Sequence, residues 1–395
     1  MDERLERYAE LVVQLGANVQ PGQELFILAN VAHSDLARAL TRQAYRAGAS
    51  YVNVAYMDDH VRRAMIELGS DEALTYSPDW QKRFVEGWAG NAQITTSGDP
   101  EPELLADLDG ERVGRAVPIE AMQIAMAQLA EKSVNWCSVG APTEGWARQV
   151  FGEPDLERLW GLVAYCMRLD EPDPVAAWRE HLARLRERGA ALDALPAEAL
   201  RYRGPGTDLT VGLLPTARWF SGSSHKTSAG IDYVANMPTE EVFTCPDSRR
   251  AEGTIRASRP LVLQGQIVQG LELTLKEGRI VQVEAETGAD VVRGQLATVE
   301  NADRLGEVAL VTADSRVGQT KTLFYNVLFD ENATCHIAYG AGYPFVFDGE
   351  PDDRLNIANV HVDLMVGGPE LEVDAQLSDG NVVPLIREEK WQLAE

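Results

Sequence analysis

The sequence predicts two parts of different architecture: an α/β domain over residues 1–198, with a parallel sheet and flanking helices, and an α+β, strand-rich domain over residues 199–395. In the first part, short apolar runs alternate with amphipathic stretches of roughly 10 to 15 residues, which is typical of parallel β-α-β units. In the second part, short alternating runs are separated by glycine, proline and aspartate turns, which is typical of a strand-rich domain. The length of 395 residues also favours two domains over one.

The elements of the first part follow from the spacing of their apolar residues. Residues 2–18 have leucine, valine and tyrosine at helical intervals, which predicts an amphipathic opening helix. The string GQELFILAN predicts a buried strand, and the helix after it is expected to be capped by Ser34 or Asp35. The alternation continues through the strings YVNVAY, DDHVRRAMIELG, NAQITTSGD, a helix through the 120s, NWCSVGAP and AAWREHLARLRERGAALDAL.

The second part begins near residue 199, where the helical periodicity stops. YRGPGTDLTVGLLP and the following strings predict short strands, and KEGRI predicts a hairpin turn between two of them. The final string, PLIREEKWQLAE, is expected to form an edge strand and a tail. The sequence contains no internal repeat and no low-complexity tract.

The charge and the cysteines restrict the class of partner and the compartment. A net charge of −25 and a pI near 4.7 argue against binding to nucleic acid or to an anionic membrane surface. No apolar run has the roughly 18 to 20 residues needed to span a bilayer, and the acidic start MDERLERYAELVV does not resemble a signal peptide. The four cysteines lie far apart, which is typical of reduced thiols in the cytoplasm.

Candidate functional residues cluster in the second part, where four apolar, strand-like segments each carry carboxylates or imidazoles. A buried carboxylate without a partner costs several kcal/mol, so these acids need compensation. A pair of divalent cations would supply it, and this predicts a hydrolytic metal site. The candidate ligands and their acidic neighbour are Glu240, Glu241, Glu307, His336, Tyr343, His361 and Asp363.

Each candidate has an alternative interpretation. His361 and Asp363 are two residues apart, so in a strand they face the same side, but a core histidine beside a surface aspartate would have the same spacing. His336 is a further ligand or a hydrogen-bonded core histidine. Tyr343 is a packed ring before a proline, or a phenol that points into the site. The sequence offers no P-loop, no GxGxxG motif after a strand and no GxSxG motif, so no nucleotide cofactor is predicted.

Taken in order, the strings NMPTEEVFTCP, LGEVALV, CHIAYGAGYP and HVDLMVG resemble the aminopeptidase T and aminopeptidase S family of metallopeptidases. The resemblance implies an N-terminal α/β domain, a β-rich C-terminal domain that binds two metal ions, and a homodimer. It also implies that the metal ligands are Glu241, Glu307, His336, Tyr343, His361 and Asp363.

The ligand types determine the expected chemistry. Oxygen and nitrogen ligands without thiolate suit two divalent ions per chain (zinc, cobalt, manganese or magnesium), which would share a bridging water and a bridging carboxylate, for which Glu307 is the candidate. Tyr343 would assist catalysis as a hydrogen-bond donor to the oxyanion. Glu240, or a partly free Glu241, would carry the proton to the leaving amine.

These inferences predict a cytoplasmic dimetal aminopeptidase that acts on short peptides. The alternatives are another dimetal hydrolase, such as an amidase or phosphoesterase, and a non-enzymatic metal-binding protein. Segments around Trp80, Trp88, Trp136, Trp146 and Trp160 contain more tryptophan than a modest α/β core needs, so an apolar rim at a dimer interface is also expected.

Overall fold

A computed structural model describes residues 3–222, 225–263 and 266–393. It confirms the predicted fold class, a parallel α/β part followed by a strand-rich part. By Cα packing the chain forms two compact units, each described here by itself. Unit 1 comprises Met1–His181 and Ser223–Pro238, and unit 2 comprises Leu182–Gly222 and Thr239–Glu395.

The elements up to residue 193 alternate as predicted. The helices are α1 Glu3–Leu11, α2 Ser34–Arg46, α3 Asp59–Leu68, α4 Asp71–Thr75, α5 Asp79–Glu86, α6 Gly110–Arg115, α7 Ile119–Ala130, α8 Glu144–Phe151, α9 Leu156–Cys166 and α10 Pro174–Asp193. The strands are β1 Glu24–Asn30, β2 Tyr51–Met57, β3 Ala92–Ser97 and β4 Asn135–Gly140. The opening helix continues as a π-helical turn over Val12–Gly16.

The elements after residue 196 are mostly strands. They are β5 Ala197–Gly204, β6 Thr207–Leu213, β7 Phe220–Ser221, β8 His225–Lys226, β9 Asp232–Tyr233, β10 Asn236–Met237, β11 Glu241–Thr244, β12 Pro246–Arg256, β13 Leu261–Leu263, β14 Gln266–Val268, β15 Glu272–Lys276, β16 Arg279–Glu284, β17 Leu305–Val311, β18 His336–Gly340, β19 His361–Met365, β20 Glu372–Leu377, β21 Val382–Arg387 and β22 Lys390–Trp391. The helices among them are α11 Ala289–Thr298, α12 Arg316–Gln319 and α13 Val327–Asp330, and short 3₁₀ turns cover Val31–His33, Glu331–Ala333 and Pro344–Val346.

Unit 1 is built on a parallel sheet of order β10-β4-β3-β1-β2. Its fifth strand comes from beyond residue 198, because Asn236 and Met237 pair with Ser138 and Val139 of β4. The chain therefore does not divide into its two units at one boundary near residue 198. A short return of the chain to the sheet edge has no periodicity of its own, so it leaves little trace in the sequence.

Two local expectations for unit 1 are corrected. Neither Ser34 nor Asp35 caps α2; the side chain of Asn30 instead accepts the N–H of Ala32 at the start of the preceding 3₁₀ turn. The tryptophans do not form an exposed apolar rim, because Trp88, Trp146 and Trp160 are buried. Trp80, at 71% exposure, is the member of that set with a fully exposed ring.

Unit 2 contains the small two-stranded sheet β13-β14 and two larger antiparallel sheets that share one hydrophobic core. One has the order β16-β15-β12-β6-β5-β20-β21-β22, and the other, here called the site sheet, has the order β19-β18-β17-β11-β7. The predicted KEGRI hairpin joins β15 to β16, with Glu277 and Gly278 at positive φ as a tight turn requires. The core face of the site sheet carries Val242, Val308, Leu310, Ile337, Tyr339, Val362 and Leu364.

Candidate metal centre

The face of the site sheet that turns away from the hydrophobic core carries the predicted ligand residues. Glu241 begins β11, Glu307 lies in β17, His336 begins β18, and His361 and Asp363 lie in β19. Successive residues of a strand point to opposite faces, so these strands bury apolar side chains on one side and present polar ones on the other.

The register of the strands brings the ligand residues into neighbouring rows. Ala338 in the middle of β18 lies opposite both Glu307 of β17 and Asp363 of β19, while Ala309 lies opposite His336. Alanine fills little space, so the side chains on either side of it can approach one another across the sheet. The small residues at these two positions thus allow a compact cluster of larger polar groups.

Glu241, Glu307 and His336 form the first group of potential ligands. Their ligand atoms lie within 4.8 Å of one another. His336 Nε2 is 3.1 Å from Glu241 Oε2 and 3.9 Å from Glu307 Oε1. His336 Nδ1 is buried without a hydrogen-bond partner in the described part of the chain. Buried polar atoms are rarely left in this way unless a ligand or ion binds them.

Glu307, His361 and Asp363 form the second group, again within 4.8 Å. His361 Nε2 lies 3.0 Å from Glu307 Oε2 and 3.1 Å from Asp363 Oδ1. On the other side of the ring, Nδ1 is 2.7 Å from the carbonyl of Ala341, to which an N–H at Nδ1 would donate. When the ring is neutral, as a metal ligand must be, that bond favours the tautomer in which Nε2 carries the lone pair.

Glu307 belongs to both groups. Its Oε1 faces His336 and its Oε2 faces His361, so the two oxygens of one carboxylate point toward two separate ligand sets. A carboxylate in this position can bridge two cations. The geometry therefore supports the prediction that Glu307 is a bridging ligand.

Tyr343 follows β18 and its phenol points into the second group. Its hydroxyl lies 3.0 Å from His361 Nε2. The ring is stacked on Phe345, with centroids 5.0 Å apart, and meets the edge of Phe243 at 5.8 Å. These contacts orient the phenol without help from its hydroxyl, so both ligation and hydrogen-bond donation remain open to it.

Burial and mutual repulsion change the pKa of several of these groups. Burial raises the pKa of Glu307 above its ordinary value, in spite of the nearby His361. Burial also raises the pKa of Tyr343, and the charges of Glu307 and Asp363 raise it further, which keeps the phenol neutral. Asp363 behaves differently: burial acts to raise its pKa, but the adjoining His361 outweighs burial and holds the pKa low.

Sequence reasoning missed Glu331, which begins a 3₁₀ turn directly after α13. Burial raises its pKa well above the usual range, and the charges of Glu241, Asp363 and Glu307 contribute. The influence of these three carboxylates on its pKa indicates that Glu331 lies near the cluster. Glu331 lies only five residues before His336, but its string LFDENATC has the composition of an ordinary helix end and so gave no signal of a functional carboxylate.

The structure does not bring the carboxylate of Glu240 into either ligand group. Its Oε1 accepts the backbone N–H of Arg316 at 3.4 Å, and its own backbone N–H donates to Asn332 Oδ1 at 2.7 Å. Because Glu240 and Glu241 are adjacent in an extended segment, their side chains diverge. The catalytic role of Glu240 stays a prediction.

The donor set fits divalent cations. Among the residues that the structure describes, the ion-pair partners of Glu241, Glu307 and Asp363 are the two histidines. With Glu331 the cluster holds four carboxylates, more negative charge than two imidazoles can offset in a buried site. Oxygen and nitrogen donors of this kind suit zinc, cobalt, manganese or magnesium.

Comparison with known proteins gives a consistent result over the whole chain. The family model described as thermophilic metalloprotease (M29) matches residues 1–391. Aminopeptidase T of Thermus thermophilus is 41% identical over 98% of both chains, and aminopeptidase 2 of Geobacillus stearothermophilus is 36% identical over 99% of this chain and 98% of its own. The solved structure of wild-type AmpT from Thermus thermophilus superposes with a TM-score of 0.91 at 38% identity, and the match covers 99% of each chain.

The protonation of His336 in metal-free protein is testable. Burial acts to lower its pKa, but the adjoining carboxylates of Glu241 and Glu307 outweigh burial and raise it to about 10. The raised pKa stabilises the metal-free fold fully below the unfolded value of 6.5, and that contribution is lost as the pH rises through about 10. NMR of ring-labelled histidines, with His336→Gln to assign the signal, should show no titration of His336 near pH 6.5. A midpoint near 6.5 would contradict this electrostatic picture.

Proposed function

This chain belongs to the thermophilic metalloprotease (M29) family, and from that premise we propose that it is a metal-dependent aminopeptidase that removes the first residue of short peptides. The observation that carries the proposal is the position of Glu307, shared by two ligand groups on one buried sheet face. The names of the similar proteins indicate hydrolysis of a peptide bond, and the ligand geometry fits a metal centre at which it could occur. These names do not support the alternatives of a phosphoesterase or a non-enzymatic metal-binding protein.

The ligands divide naturally between two ions. We assign Glu241 and His336 to one and His361 and Asp363 to the other, with Glu307 bridging them and Tyr343 beside the second. When bound, two such cations polarise the scissile carbonyl and acidify a water that bridges them. These ligands suit zinc, cobalt, manganese and magnesium alike. Which ion is bound therefore depends also on which metal is available to the protein.

The chain's own residues perform the remaining tasks. The neutral phenol of Tyr343 can donate a hydrogen bond to the oxyanion that develops on the carbonyl oxygen. Ala341 holds the ring of His361 by its carbonyl, so that Nε2 stays directed at the cluster. We propose Glu331, rather than Glu240, as the group that takes a proton and delivers it to the leaving amine, because its pKa is raised by burial and by the charges of Glu241, Asp363 and Glu307.

Location and assembly complete the proposal. All four cysteines are buried and, in the described part of the chain, none forms a disulfide, which supports a reducing compartment, and we place the enzyme in the cytoplasm. Within the described residues, none of the helices combines the length and the apolar character needed to cross a bilayer. We also propose a homodimer, for which the family resemblance is the support, since the tryptophan argument fails.

The decisive assay measures both activity and metal. Purified protein loaded with each candidate cation should release free amino acids from short peptides with free amino termini, and chelation should abolish the release. Amino-terminally acetylated peptides of the same sequence are the matched control and should resist cleavage. Phosphate release from phosphoesters, or equal cleavage of acetylated and free peptides, would contradict the proposal.

Glu307→Gln should lower both metal content and rate. The amide keeps an oxygen but loses the charge that offsets two dications, so a bridging ligand affects both ions. The expected result is fewer than two ions per chain by elemental analysis after dialysis. Glu284→Gln, which changes an exposed glutamate of β16, is the control and should keep wild-type metal content. Two ions bound at wild-type affinity in Glu307→Gln would exclude the bridging role.

Tyr343→Phe keeps the stacked ring and removes only the hydroxyl. If the phenol stabilises the oxyanion, kcat should fall by roughly 10² to 10³, with a much smaller change in KM. Tyr339→Phe is a matched control, because Tyr339 is a buried tyrosine on the core face of β18, with its hydroxyl 2.7 Å from Gln295. That control should lose stability but retain turnover. Normal kcat in Tyr343→Phe would assign the ring to packing alone.

A further inference from the structure

A small cavity adjoins the second ligand group. Its volume is about 150 Å³, and one of its walls is β19, including His361, Val362, Asp363 and Met365. β19 is an edge strand of the site sheet, so the cavity lies beside the sheet at the point where the second ligand group ends. A substrate held at that group would therefore have the cavity within reach of its nearest side chain.

The other walls of the cavity are mainly apolar. They are contributed by Pro260 and β13, and by the segment from Leu323 to α13. Val262 and Val327, at 41% and 58% exposure, lie at the solvent-facing side. Leu261 and Leu263 are buried and anchor the cavity wall in the core of unit 2. An apolar side chain that binds in this space would be removed from water, and it has no polar atom of its own that would need a hydrogen bond.

The one carboxylate in the cavity wall outside β19, that of Asp330, is already engaged among the described residues. It accepts the backbone N–H groups of Phe324 at 2.8 Å and Asn326 at 3.0 Å. These two bonds flank Tyr325, whose φ of +53° lies in the left-handed region that a bulky residue rarely adopts. Asp330 thus holds the wall in a shape that the local sequence would not adopt alone.

The size of the cavity suits one side chain. Pockets for drug-sized ligands have volumes of roughly 300 to 1,000 Å³. An apolar cavity of about 150 Å³ binds a molecule of the size of benzene. A leucine or phenylalanine side chain is comparable, whereas alanine would leave most of the space empty.

We infer that this cavity binds the side chain of the substrate's first residue and favours large apolar side chains there. The inference rests on the proposed aminopeptidase function. In such a reaction the free amine and the first carbonyl lie at the metal centre, so the side chain between them is the one nearest to His361 and Asp363. The next residue is displaced by a further Cα–Cα step of about 3.8 Å.

Val327→Trp tests the inference, because it places a large side chain at the open side of the cavity without replacing a proposed ligand. For wild type, kcat/KM should be higher for Leu-Gly-Gly and Phe-Gly-Gly than for Ala-Gly-Gly. In Val327→Trp the advantage of leucine and phenylalanine should fall by about tenfold or more, the scale of discrimination in a hydrophobic pocket. Cleavage of Ala-Gly-Gly should change little.

Val382→Trp is the matched control, since Val382 is a valine of similar exposure, 57%, that does not line the cavity. It should keep the wild-type preference. Calorimetry with L-leucine and L-alanine provides a readout independent of turnover, and Val327→Trp should weaken the binding of leucine more than that of alanine. Thermal unfolding of both variants verifies that they fold.

The outcomes separate this inference from the proposed function. Wild-type protein that cleaves no free peptide would overturn the proposed function. Wild-type protein that cleaves peptides, together with a Val327→Trp variant that changes all three substrates by the same factor, would overturn the cavity assignment alone. An equal loss of preference in Val382→Trp would do the same.

Discussion

The burial of several carboxylates at one point is the constraint on which unit 2 depends. Glu241, Glu307 and Asp363 lie on one face of the site sheet, and Glu331 approaches from the turn after α13. Carboxylates this close repel one another, and burial raises the cost of their charge. Two histidines offset part of that charge, and cations are the natural source of the rest. The same arrangement that destabilises a metal-free chain thus creates affinity for metal.

Apolar packing on the opposite face of the site sheet offsets the cost of burying these carboxylates. That face contributes Val308, Leu310, Ile337 and Leu364 to the hydrophobic core that it shares with the eight-stranded sheet. Apolar burial of this kind stabilises by about 25 cal/mol per Å² of surface removed from water. Apolar packing and polar ligand residues do not compete for the same positions, because successive side chains of a strand point to opposite faces of the sheet.

The aromatic residues and the cavity connect this centre to substrate recognition. Tyr343 is held by Phe345 and Phe243, so its phenol is directed at His361 before any substrate arrives. The cavity next to β19 is held open by the bonds of Asp330 to the segment around Tyr325. Both features are preorganised, which lowers the entropy that substrate binding would otherwise have to overcome.

The sequence by itself determined the elements of the fold and the candidate ligands. Apolar runs with a period of two or of 3.6 residues identify most helices and strands, and an acid inside an apolar strand, such as Glu307, is conspicuous without coordinates. The sequence also indicated that His361 and Asp363 share a face, because that depends only on their spacing. Only the tertiary structure decided which residues meet. The register that aligns Glu307, Ala338 and Asp363, the separation of Glu240 from Glu241's cluster, the approach of Glu331 and the return of β10 to the sheet of unit 1 all depend on contacts between distant segments. Local periodicity reports which side of an element faces a core, but not which other element lies there.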